Sequence, residues 1–121
     1  MVELSPSYEK FETEVLRKAT EDLDLVLIAW WIANTLYPDK PASERLAVAE
    51  KAIRSLANAG LIALYRDRQM DPDHEVPTAD YEEVLRRWDT WTGVTDDPAG
   101  QVFFTATDAG HEAYRDRVNH R

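Results

Sequence analysis

Ala49-Glu50-Lys51-Ala52-Ile53-Arg54-Ser55-Leu56-Ala57-Asn58-Ala59-Gly60-Leu61-Ile62-Ala63-Leu64-Tyr65-Arg66 reads as an amphipathic helix, a glycine stop and a strand. With a step of about 100° per residue, Leu46, Ala49, Ile53 and Leu56 fall within about 80° of one another and form a core-facing stripe. Ala47, Lys51, Arg54, Ser55 and Asn58 fall on the other side. Ser43, after Pro41, is the expected N-cap, because its hydroxyl can accept an orphan backbone N–H. Gly60 suits the position just past the helix, where φ is positive and a Cβ is penalised. Leu61 to Tyr65 then carry strand-favouring residues, with Leu61 packing back on the last helical turn.

A second stretch has the reverse order. Val102-Phe103-Phe104-Thr105-Ala106-Thr107-Asp108-Ala109-Gly110-His111-Glu112-Ala113-Tyr114 reads as a strand leading into a helix. Thr107 is the expected N-cap, and Asp108 lies in the first turn, where the helix dipole favours an acid. Taken together, the "AIRSLANAGLI" segment and this strand–TxxG–helix passage resemble the winged helix-turn-helix superfamily. The resemblance covers about a third of the chain. It implies an α+β domain, mostly helical, with a small antiparallel β-hairpin. It also implies a helix that reads DNA, with Lys51, Arg54, Ser55 and Asn58 facing the major groove and Arg66 and Arg68 reaching flanking phosphates.

The chain departs from that pattern at two places. A short helix and turn should precede the reading helix, and between Pro38 and Leu46 there is hardly room for them. The wing should be a tight hairpin, whereas here the two strands are separated by a long stretch that carries a helix of its own. That helix starts after Pro77-Thr78, with Tyr81, Val84, Leu85, Trp88 and Trp91 at helical spacing. An effector pocket near Trp88 and Trp91 is one use for those rings; ordinary core is the other. Arg66 to Val76 reads as a polar loop, and Gly93 to Gly100 as another.

Upstream, Ser5-Pro6-Ser7 opens a first helix on which Tyr8, Phe11, Val15 and Ala19 share a face. A second helical stretch runs from about Leu23 to Leu36 and ends at Pro38. Its segment Leu25 to Ala33 is apolar all the way round, and Trp30 and Trp31 point about 100° apart. Such a helix either lies at the centre of the core or buries one side against another chain, with Trp30 or Trp31 as the self-association anchor.

The composition bounds the class. The chain of 121 residues is expected to be one domain, able to bury a core without disulfides, since it has no cysteine. No signal-peptide pattern opens it, and the nine apolar residues 25–33 span only about 14 Å as a helix, against about 30 Å of bilayer core. A cytoplasmic protein without membrane contact is expected. The net charge of −9 opposes nonspecific attraction to nucleic acid. Seven acids against three bases in residues 1–24 make the first helix acidic. Lys40, Arg45, Lys51 and Arg54 against Glu44 and Glu50 leave the 40–54 stretch at +2. Two net charges make a small footprint for DNA.

Catalytic chemistry finds no foothold. Asp71-Pro72-Asp73-His74-Glu75 lacks the glycine and terminal glutamate of a calcium loop. His111-Glu112 begins like a zinc-protease motif, but Arg115 stands in place of the second histidine. There is no G-x-S-x-G elbow and no glycine cluster to cradle phosphate. The expectation is a non-enzymatic protein without metal or cofactor. It acts as a regulatory or protein-interaction module, with a protein partner or a homodimer. The alternatives are a DNA-binding transcriptional regulator and a small acidic immunity or inhibitor protein that masks a basic target.

Overall fold

Helix α1, Tyr8–Glu21, starts where Ser7 Oγ accepts the Lys10 backbone N–H at 3.1 Å, an N-cap in the local sense. Its buried face is Phe11, Val15, Leu16 and Ala19. These details come from a computed structural model, which describes residues 7–21, 24–66, 72–86 and 102–119. Asp24–Leu25 form a short strand, β1, and α2 follows as Leu27–Leu36. After a five-residue connection, Tyr37 to Pro41, α3 runs Ala42–Asn58. Strand β2 is Ile62–Tyr65, and β3 is Phe103–Ala106. Between them the described residues form two 3-10 turns, Pro72–His74 and Thr78–Asp80, and helix α4, Tyr81–Arg86. Helix α5, Asp108–Asn119, closes the described chain.

The result is an α+β fold with five helices and one three-stranded antiparallel sheet among the described residues. The sheet order is β1-β3-β2. Strand β3 lies in the middle, with Leu64 opposite Phe104 on one side and Asp24 opposite Phe104 on the other. The expected antiparallel pair with a helix between its strands is present as β2, α4 and β3. Strand β1 is a correction to the expected two-stranded hairpin. The Leu23–Leu36 stretch does not run as one helix, because Asp24 and Leu25 pair with β3 and Val26 donates its N–H to the Val102 carbonyl at 2.9 Å. The free edge of β2 is covered: Val76 donates to Leu64 and Arg66 to His74, at 2.8 and 2.9 Å. That removes an open edge from the sheet.

The two stretches singled out in the sequence meet directly. Helix α3 ends in a Schellman turn, with Gly60 donating to the Ala57 carbonyl at 3.0 Å and Leu61 to that of Leu56 at 2.9 Å. Gly60 sits at φ 77°, where a side chain is strained. Thr107 then joins both ends. Its Oγ1 donates to the Gly60 carbonyl at 2.6 Å and accepts the Gly110 N–H at 3.1 Å. Its backbone N–H donates to the Leu61 carbonyl at 3.0 Å. Gly110 is required by the same approach, since a Cβ there would lie 1.9 Å from the Leu61 carbonyl oxygen. Thr107 is the N-cap as expected. The N-cap of α3, in contrast, is Pro41 with no side-chain hydrogen bond, so Ser43 does not serve. Pro41 carries no N–H to satisfy, and its carbonyl accepts from Glu44 and Arg45 instead.

The core gathers Phe11, Val15 and Leu16 of α1, Ile53 and Leu56 of α3, and Leu64 and Phe104 of the sheet. Val76 and Leu85, from the segment between β2 and β3, join it, so that segment is part of the folded body. No helix among the described residues is long and apolar enough to cross a membrane.

Candidate interaction surfaces

Helices α2 and α3 pack side by side. Each contributes small residues to the core: Ala29 and Ala33 from α2, and Ala49, Ala52 and Ala57 from α3. The two outer faces differ in chemistry.

On α3 the exposed row is Glu44, Ala47, Lys51, Ser55 and Asn58. Three of the expected contact residues, Lys51, Ser55 and Asn58, therefore share one face. Lys51 is engaged within the chain, its Nζ lying 4.2 Å from the centre of the Tyr8 ring. Arg54 leaves the row. Its side chain is only 29% exposed, and its Nε lies 2.7 Å from Glu82 Oε1 of α4. Nε has no partner in hydrogen-bond alignment, so this is a charge contact and not a directed bond. A second acid, Glu50, stands 3.7 Å from the same guanidinium. The expected set Lys51, Arg54, Ser55 and Asn58 is thus not one outward basic surface, and Arg54 is the member to correct. The period places Arg54 outward, but α4 packs on α3 at that side and brings Glu82 to it. Arg66 lies at the end of β2, and Arg68 lies outside the described residues. Trp88 and Trp91 are outside them too, as is any pocket they would line.

Burial raises the pKa of Glu50 above the usual carboxylate value, although Arg54 and Arg86 oppose the shift. Burial also raises Tyr8, with Glu12 adding to the effect. Tyr8 Oη has no aligned partner, although Glu12 and Ser55 are close enough to influence it. Both effects mark the α1–α3–α4 side as closely packed around its charges.

The outer face of α2 is different. Leu27–Leu36, LIAWWIANTL, has no ionisable side chain. Trp31 is 58% exposed, Thr35 is exposed, and Ile28 and Ile32 are half-buried. These four fall within about 100° of the helix circumference. Trp30 points elsewhere. It is half-buried at the edge of the core, with the Arg45 guanidinium 6.0 Å from its ring centre. So the two tryptophans divide the roles offered to them: Trp30 packs, and Trp31 stands in solvent. Sequence reasoning missed Ile28, Ile32 and Thr35 as Trp31's companions. The signal was there in Ala29 and Ala33, whose i, i+4 spacing marks the inner side.

An open groove of about 640 Å³ lies between α1 and α5, bordered by Lys10, Thr13, Glu14 and Arg117. Arg117 spans it to Glu12 Oε1 at 2.8 Å and Thr13 Oγ1 at 3.2 Å. The arrangement ties the last helix to the first. Among the described residues, no group of three or more His, Cys, Asp or Glu is placed to hold a metal ion. The chain matches no family model, and comparisons with curated proteins and with solved structures give no match.

Proposed function

We propose that this chain is a non-enzymatic, winged-helix-like interaction module that meets protein partners through the outer face of α2. The fold part of the proposal draws on element order. A helix, a short strand, two helices joined by a short connection, and then two strands, sheeted as β1-β3-β2, resemble a winged helix-turn-helix domain. In that reading α2 is the helix that precedes the reading helix, and α3 is the reading helix itself. The stretch 66–102 stands in the place of the wing.

The functional part is carried by one observation. Trp31 stands 58% exposed on a helix without charge, in a chain of net charge −9. Aromatic side chains at the centre of uncharged, desolvated patches are the usual energetic anchors of protein interfaces. The test uses the full chain and its Trp31→Lys variant as baits in the native host, with nuclease treatment and mass spectrometry. Association, with itself or with a partner, should be lost in Trp31→Lys and kept in Lys51→Glu. Association that survives Trp31→Lys overturns the proposal.

A second reading, a DNA-binding regulator, has the helix–connection–helix order in its favour. Its weakness is the charge on α3. Lys51 lies over Tyr8, and Arg54 is flanked by Glu50 and Glu82. A phosphate backbone would meet acids there. Titration with duplex DNA at low salt should show no binding. Salt-steep binding that disappears in Lys51→Glu plus Arg54→Glu would establish the second reading instead.

A further inference from the structure

We draw no further inference here: the strongest candidate, the uncharged outer face of α2 around Trp31, already carries the proposed function, and nothing in the structure shows what covers it.

Discussion

Helices α2 and α3 share one core and turn opposite kinds of surface outward. On α3, the basic groups described are already met from within the chain: Lys51 by the Tyr8 ring, Arg54 by Glu50 and Glu82. On α2, the largest outward group, Trp31, is left in water. The difference teaches that two neighbouring helices of one core can present quite different chemistry to solvent. On the helix whose place in the sequence suggests DNA reading, Lys51 and Arg54 are engaged within the chain, while Ser55 and Asn58 stay exposed. The helix expected to be central core or interface carries the most exposed large apolar side chain among the described residues.

The comparison has force only if both faces are held on one frame, and breaking the frame is expected to have the largest effect. Gly110→Ala would drive a Cβ into the Leu61 carbonyl and is expected to cost about 3 kcal/mol by denaturant unfolding. A loss below about 1 kcal/mol would mean that β2 and α5 separate easily and that the frame is loose. Thr107→Ala removes the hydroxyl that links Gly60 to Gly110 and is expected to cost about 1 kcal/mol.

Glu82→Gln addresses the α3 face itself. Glu82 is half-exposed and screened by solvent, so the loss in stability should be less than about 1 kcal/mol. Affinity for duplex DNA at low salt should not appear. Should it appear, α4 would be masking a DNA-reading helix, and the contrast between the faces would be conditional on that contact.

The smallest effect is expected at Glu50. Burial raises its folded-state value, so the fold disfavours its charged form. A raised folded value gives a contribution that is complete below the unfolded value and lost as pH rises through the folded one. Glu50→Gln, which stays uncharged, should therefore be slightly stabilising at neutral pH, and the difference should vanish in acid. Destabilisation at neutral pH would show that attraction to Arg54 outweighs burial.

The sequence disclosed the joints of this fold better than its faces. Gly60 and Thr107 are legible because each has a local cause, a positive φ and a cap hydroxyl that nothing distant alters. The stripe Ala49, Ile53 and Leu56 is legible from period alone. Strand β1 was hidden because Asp24 and Leu25 become a strand only through pairing with β3, far along the chain. Arg54 was misplaced for a related reason: its partner Glu82 belongs to a helix whose docking site cannot be read from spacing. The outward side of α2 was hidden by a uniformly apolar composition, in which only the small size of Ala29 and Ala33 distinguishes inner from outer.

One measurement compares the two faces within a single sample: backbone amide chemical shifts of the full chain, followed on adding the protein partner captured from the native host and, separately, duplex DNA at low salt. The partner should move amides of Ile28 to Leu36 and leave those of Glu44 to Asn58 in place, and DNA should move neither set. Shifts concentrated at Lys51 to Asn58, with α2 silent in both series, would contradict the proposal that the α2 face is the interaction surface.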